Sequence, residues 1–382
     1  MRAPAFGLAL LLLPASAAAA PVIVPFDLVD NQLIAQVTVD GRGPFRFVLD
    51  TGGGDLITPD LAARLGLSPG GDVTFVGTGD GTVQGGVVTV PQVAVSGLVL
   101  GNEPFFTLPL DAFDRLMGIH VDGMLGYELF RRYVVRFDFA ARTMTLIDPA
   151  EFKPDGAGAG MAMDSSHRTP RVKGSYDGIP GIFDIDTGDN GGLTLTGPFV
   201  ALNGLRERPG KHVDVVSGAG VGGDTYARII RGAEFELGGV STGHPVTSLS
   251  ANAAGEFASA DFAGNVGTGL AERFVMTLDY PHNMLYLKPG GLVQDLDLYD
   301  RSGMALIPNP AGFEVYFVTA GGPAAEAGIR KADIVTAVDG MPATAITLDA
   351  MYRRQRGNPP GTVLHLHLAD GRDVAVTLRD QI

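Results

Sequence analysis

The chain contains no cysteine, which excludes disulfide staples, thiolate metal sites and a cysteine nucleophile. Tryptophan is absent as well, so there is no indole platform for a sugar or a base. Basic residues are scarce: 28 Lys and Arg stand against 42 Asp and Glu, a formal charge of −14. Nucleic-acid affinity rests on clustered Lys and Arg, and this balance argues against such a partner. Beyond the first twenty residues no apolar run approaches the ~20 residues that a membrane-spanning helix needs. Glycine, by contrast, is plentiful at 54 residues, with 25 prolines, a supply of turns that points to mostly β-structure. With 45% hydrophobic residues the chain can build real cores, and a length of 382 residues predicts two or three domains.

Residues 1–20, MRAPAFGLALLLLPASAAAA, place one early charge (Arg2) before an apolar run, Phe6–Leu13, then Pro14 and a string of small residues. That is the order of a secretory signal peptide, with cleavage expected near Ala18–Ala20. The mature protein is therefore expected in an extracytoplasmic space, periplasmic or secreted, with no membrane span. Residues 21–30 read either as an edge strand or as a short pro-segment.

Short β-like runs separated by Gly, Pro and Asp fill most of residues 22–290, and they repeat. Phe45-Arg-Phe-Val-Leu-Asp-Thr-Gly52 is matched by Gly181-Ile-Phe-Asp-Ile-Asp-Thr-Gly188, an offset of 136 residues. Gly126, Tyr133 and Asp138 are matched by Gly267, Phe274 and Asp279, an offset of 141. Two landmarks in the same order at nearly the same offset predict a duplicated β-lobe, residues 21–152 and 153–292.

Inside each repeat an apolar strand ends in Asp-Thr-Gly: Asp50-Thr51-Gly52 and Asp186-Thr187-Gly188. Two carboxylates brought together cannot both ionise, so one keeps a proton while the other is free to act as a base toward water. A Gly soon after each Asp permits the tight turn, and the Thr hydroxyls are placed to lock the two loops together. A single Asp-Gly turn would be unremarkable; two in register with a repeat are not.

On these motifs residues 21–292 resemble a retropepsin-like aspartic protease whose two lobes are fused in one chain, as in the pepsin-type architecture. The resemblance implies Asp50 and Asp186 as the catalytic pair, supported by Thr51, Gly52, Thr187 and Gly188. It also implies a hydrophobic-hydrophobic-Gly turn behind each loop, for which Met124-Leu125-Gly126 fits well and Asn265-Val266-Gly267 only in part. A flap over the cleft is implied in each lobe, with Gly77, Gly79 and Gly81 in the first and Gly218 and Gly220 in the second. Neither turn carries the flap tyrosine of pepsin-type enzymes, for which Tyr226 is a distant candidate. Gly53 and Asp189 stand where the family has Ser, Thr or Ala. Asp189 either raises the proton affinity of the pair by repulsion or points to solvent.

From about residue 297 the texture changes. Gly322-Pro-Ala-Ala-Glu-Ala-Gly-Ile329, Asp333-Ile-Val335 and Val338-Asp-Gly340, a helical stretch at Leu348–Gln355 and a closing strand pair resemble a PDZ domain over residues 297–382, with Ala332 where the family has Gly. PDZ domains add a peptide as a strand to a sheet edge. The resemblance implies a carboxylate-holding turn at Ala311, Gly312 and Phe313, and a ligand-pairing strand beginning at Glu314 and Val315. Arg353, Arg354 and Arg356 are either a solvated basic face or an attraction for acidic peptides.

His365 and His367 share a strand face, but no third ligand stands at a convincing spacing for a metal. Gly218, Gly220 and Gly223 fit a dinucleotide pattern without the helix that a pyrophosphate needs. No Gly-x-Ser-x-Gly is present for a serine enzyme. The expected fold is thus mainly β, two pseudo-twofold lobes followed by an α+β PDZ domain. The expected activity is an exported aspartic endopeptidase with no cofactor and no metal, acting on protein or peptide substrates. A non-catalytic peptide-binding adaptor with a protease-like fold is the alternative.

Overall fold

The computed structural model describes residues 20–382; apart from Ala20, the targeting-segment reading of residues 1–20 lies outside them. Three strands open the first lobe as successive antiparallel hairpins, Val22–Val29, Gln32–Val39 and Arg42–Leu49. The first turn is Asp30-Asn31, both with positive φ, a conformation that Asn and Asp tolerate better than most side chains. Of residues 21–30, left open between edge strand and pro-segment, Val22–Val29 form this first strand.

The polypeptide then makes the same clasp twice. The strand Arg42–Leu49 runs parallel to Gly123–Leu125, which runs antiparallel to Leu56–Ile57. In the second lobe Ile179–Ile185 runs parallel to Gly264–Val266, which runs antiparallel to Leu193–Leu195. Each clasp is followed by a helix with a Thr N-cap and a Pro in its first turn: Thr58 on Pro59–Leu65 and Thr196 on Gly197–Leu202. Both threonines accept from the N–H three residues on, satisfying a donor that the helix itself cannot. The chain segment between each Asp-bearing strand and its cap is therefore held at both ends.

A shared sheet joins the lobes. At its centre Val134–Asp138 pairs antiparallel with Phe274–Asp279. Val135 faces Leu278, Phe137 faces Met276, and Arg136 lies opposite Thr277. Since residue 136 corresponds to 277 in the repeat, the pseudo-twofold axis passes through this pair. Thr143–Ile147 and Val22–Val29 extend the sheet on one side, Met284–Pro289 and Ala159–Asp164 on the other. The inward-facing residues of both lobes, among them Leu49, Phe137, Ile185 and Leu278, form one continuous apolar core. Removing that area from water is the main favourable contribution to folding. It also fixes the two Asp-bearing strands to one rigid base.

The C-terminal unit has its own core around Leu306, Val315, Val335, Met351 and Leu366. Its sheet runs, from one edge to the other, Met304–Asn309, Gly312–Val318, Ile334–Val338, Val363–Leu368 and Asp373–Thr377. The helix Leu348–Gly357, capped by Thr347, packs beside the Met304–Asn309 edge.

Candidate active site

The two Asp-Thr-Gly loops meet on the pseudo-twofold axis. Asp50 N–H donates to Leu125 O at 2.9 Å and Asp186 N–H to Val266 O at 3.0 Å, so each Asp is anchored by the turn behind it. The Thr51 N–H donates to the Thr187 hydroxyl at 3.1 Å, and the Thr187 N–H to the Thr51 hydroxyl at 2.9 Å. The hydroxyls in turn donate across the axis, Thr51 to Ile185 O and Thr187 to Leu49 O, both at 2.7 Å. Both threonines are fully buried. Four bonds in a dry environment hold the two loops at a fixed separation, since an unmade partner there would cost its full desolvation.

Held this way, the Asp50 and Asp186 carboxyls are brought face to face, each lying against the glycine of the opposite loop. The glycines are there because the approach is close: a Cβ on Gly52 would lie 2.4 Å from Asp186 Oδ1, and one on Gly188 would lie 2.4 Å from Asp50 Oδ1. Asp50 Oδ1 accepts from Gly52 N–H at 2.8 Å and Gly53 N–H at 2.9 Å; Asp186 Oδ1 accepts from Gly188 N–H at 2.9 Å. Burial raises the Asp50 carboxyl above the usual range, opposed by those two N–H groups and by the Asp186 carboxyl. Asp186 is pushed well above it, by burial first, then by the charge of Asp50, then by Asp189 and Glu256. Unequal proton affinities in a touching pair are what acid–base work requires.

Two departures noted in the sequence acquire definite places. Gly53 is a necessity, because a Cβ there would come within 2.5 Å of Asp50 Oδ2. Asp189 does not point away from the site. Its Oδ1 accepts from Gly191 N–H at 2.7 Å and its Oδ2 from the Asn265 amide at 2.8 Å, and the same amide lies 3.3 Å from Asp186 Oδ2.

Both loops are also buttressed from the opposite lobe. Gln32 Nε2 donates to Gly188 O at 2.7 Å, and Thr169 Oγ1 donates to Gly52 O at 3.0 Å. Sequence reasoning missed these, although their spacing of 137 is within one residue of the 136-residue offset between the Asp-Thr-Gly motifs. Tyr280 is buried against the rings of Phe130 and Tyr127.

Over the cleft, hairpins from the two lobes touch at their tips. Gly79 N–H donates to Val221 O at 3.0 Å and Gly81 N–H to Gly222 O at 2.8 Å. Gly77, Gly79, Gly81 and Gly220 are brought together; a Cβ on Gly79 would meet Gly222 C at 2.4 Å, and one on Gly220 would meet Thr78 Oγ1 at 2.2 Å. Gly218 is set back at an irregularity in its ladder, where an added Cβ would meet only Thr225 Oγ1, at 3.5 Å. Tyr226 is 47% exposed, and its N–H donates to Asn252 Oδ1 at 2.8 Å. A third segment secures the first tip: Asn252 Nδ2 donates to Asp80 Oδ1 at 2.9 Å, and Glu256 N–H to Gly77 O at 2.9 Å. The Glu256 carboxyl is pushed up to about 7, by burial and then by Asp184 and Asp50. Nothing in the repeat signalled this segment.

The expected peptide site at 311–315 needs correction. Gly312–Val318 is an interior strand, paired along one side with Met304–Asn309 and along the other, at Phe313 and Glu314, with Ile334–Val338. Val315 is also bonded on that second side, to Asp333 O and from Ala332 N–H. Ala311 N–H is taken by Asn309 Oδ1 at 3.0 Å, and Gly312 packs so tightly that a Cβ would meet Val335 O at 2.3 Å. These residues form a hairpin turn and a filled ladder, without spare donors for a peptide carboxylate. The edge strand on this side is Met304–Asn309, and its carbonyls are occupied from the neighbouring helix, Leu306 O by Tyr352 Oη at 2.7 Å and Met304 O by Gln355 Nε2 at 3.1 Å. The three arginines are paired with acids: Arg353 with Asp349, Arg354 with Asp339 at 3.9 Å, and Arg356 with Asp30 of the first lobe at 3.2 Å. The C-terminal unit also reaches the second flap, where the Tyr316 hydroxyl donates to Asp224 and Arg115 covers the Tyr316 ring. His367 pairs with Asp373 at 2.8 Å, and among the described residues no three His, Asp or Glu side chains converge as metal ligands.

Comparison with known proteins gives two family matches. Residues 35–129 match the aspartyl protease family and residues 314–366 match the PDZ domain family. No curated protein matches the chain. Among solved structures, the aspartic proteinase from Irpex lacteus is similar at 12% identity over 73% of this chain and 100% of that one, with a TM-score of 0.49. The first family match contains Asp50-Thr51-Gly52 and Met124-Leu125-Gly126; the second lobe is tied to the first by the internal repeat.

Proposed function

We propose that this protein is an aspartic endopeptidase in which Asp50 and Asp186 hydrolyse peptide bonds with an activated water. The observation that carries the reading is the meeting of the two buried carboxyls across the axis, each against the glycine of the opposite loop, held by the reciprocal Thr51–Thr187 contacts. Asp50, the carboxyl less favourable to a proton, takes one from water as the oxygen attacks the carbonyl carbon. Asp186 gives its proton to the carbonyl oxygen. The resulting gem-diol collapses as Asp50 passes its proton to the amide nitrogen, the C–N bond breaks and one of the two hydroxyls returns its proton to Asp186, so that the pair holds one proton again. No organic cofactor or metal is needed for any step.

Substrate entry requires the Gly79–Val221 and Gly81–Gly222 bonds between the flap tips to open. The PDZ unit is read as a substrate-binding module whose ligand takes the Met304–Asn309 edge after displacing Tyr352 and Gln355. Residues 1–20 support export to a periplasmic or external space.

The test is cleavage of an unstructured protein such as casein from about pH 3 to 8, with and without pepstatin. An acidic to mildly acidic optimum that pepstatin abolishes supports the reading. No cleavage at any pH, with peptides still bound by the PDZ unit, replaces it with the adaptor. For export, the N-terminal sequence of the mature protein should begin close to Pro21.

A further inference from the structure

We infer that Asp189 and Asn265 form a polarising pair, specific to the second lobe, that places the shared proton of the dyad on Asp186 and leaves Asp50 as the base. This rests on the peptidase reading for its catalytic meaning but not for its electrostatics.

The geometry is a comparison of the protein with itself. Tyr127 N–H bonds Gly53 O as Thr268 N–H bonds Asp189 O, so Gly53 and Asp189 occupy equivalent places. Leu56 faces Met124 as Thr194 faces Asn265, so Met124 and Asn265 do too. The first lobe thus presents Asp50 with a glycine and a thioether. The second presents Asp186 with a carboxylate and a primary amide that touch each other. Substituting both members of a contacting pair together is what a working interaction leaves behind, whereas an isolated Asp there would be an unpaired partly buried charge. The second loop has room for it: Asp186 is ten residues from its cap Thr196, while Asp50 is eight from Thr58. In the shorter loop a Cβ at position 53 would strike Asp50.

Asn265 donates its amide to Asp189 at 2.8 Å and Gly191 adds its N–H at 2.7 Å. Burial raises the Asp189 carboxyl above the usual range, and these two donors oppose it, favouring the ionised form. A negative charge so held stands beside Asp186; the same amide reaches Asp186 Oδ2 only at 3.3 Å, so the donation that would favour ionised Asp186 is the weaker of its two contacts. A like charge there disfavours a second one on Asp186. The acids that act on Asp186 are Asp50 from the first loop, Asp189 from its own loop and Glu256 from the segment under the flap, with the Gly188 N–H opposing them. Asp189 acts on Asp50 too, but there it is the smallest of the contributions, behind the two N–H groups and the Asp186 carboxyl. The asymmetry sets the direction of the proton in a site that the repeat would otherwise make symmetric. Asp189 and Asn265 are positioning residues and do not touch substrate.

The test follows the aspartate carboxyl carbons of the full chain by 13C NMR over a pH titration, with the pH profile of casein cleavage measured on the same samples. The upper step of the dyad is identified by its loss in Asp186→Asn. The double variant Asp189→Gly with Asn265→Met gives the second lobe the first lobe's residues. It should lower that upper step by about one pH unit or more, and the alkaline limb of kcat should move down with it. Glu256→Gln serves as the control for the other acid: the Asp189 effect should persist in its presence. If the double variant fails to fold, Asp189→Asn removes the charge alone and should shift the step in the same direction. An upper step that stays in place in either folded variant overturns the inference, even with cleavage intact. A wild type that titrates as expected yet cleaves nothing overturns the peptidase reading instead.

Discussion

Thr51 and Thr187 each donate a backbone N–H to the other's hydroxyl, and each hydroxyl donates to the carbonyl just before the other's Asp. Neither loop can therefore be positioned without its counterpart. Replacing either Thr by Val keeps the volume but strands a buried N–H and a buried C=O. Each single change should destabilise by about 2–4 kcal/mol, at roughly 1–3 kcal/mol per buried unmet group. The double variant should cost less than the sum of the two, because the first change already loosens the approach of the loops on which the other two bonds depend. Urea unfolding of the four proteins measures this. Strict additivity would show that the two loops are held independently.

Gly53 packs against the carboxylate it serves. Gly53→Ala would place a methyl group 2.5 Å from Asp50 Oδ2, so Asp50 must turn away from Asp186. The expected result is a fall in kcat of about tenfold or more, since a displacement near 1 Å at reacting groups can cost that much. The melting temperature should change little. Full kcat in Gly53→Ala would contradict the loop geometry.

Three buried acids make stability depend on pH in an unusual direction. Burial pushes Asp55 up to about 7, Asp184 up to about 6 and Glu256 up to about 7. Between the ordinary carboxylate range near 4 and these values, the unfolded chain has released protons that the folded chain still holds. Stability then falls as pH rises, because the unfolded state binds fewer protons. Below about pH 4 the contribution is fully present; above about pH 7 it is lost and the curve flattens. Thermal melts from about pH 4 to 8 should show a melting temperature that declines and then levels. A melting temperature rising through that window would contradict these assignments.

The repeat, the Asp-Thr-Gly pair and the mainly β architecture were legible because the same backbone problem is solved twice, and a tight turn after a strand admits few residue types. The flap tips were half legible. Gly77, Gly79, Gly81 and Gly220 are needed by close approach, which leaves a glycine signal, whereas Val221 contributes its carbonyl and any residue has one. Asp189 and Asn265 looked like defects because each was judged alone. They make sense only as a contact across 76 residues, which no local pattern announces. The PDZ site was misplaced for a similar reason: Gly312–Val318 reads as a strand, but whether its edge is free depends on neighbours on both sides.

Ala332 sits at φ 69° on the surface of the PDZ unit, a left-handed conformation that a Cβ resists by roughly 1–2 kcal/mol. Glycine removes that strain and adds unfolded-chain entropy of smaller size. Ala332→Gly should therefore stabilise the unit by about 0.5–1 kcal/mol in chemical unfolding. A destabilisation would mean that the position is unstrained in solution.

The central claim is that two carboxyls act as one group, and substitution at each tests it most directly. Asp50→Asn and Asp186→Asn keep the shape of the pair while removing one ionisable member. Casein cleavage by each, at the wild type's optimum, should fall by a factor of about a thousand or more, as for loss of an acid or base that acts in the transition state. Both variants should still fold. Loss at Asp50 with activity retained in Asp186→Asn would contradict the account and reduce the second lobe to a scaffold.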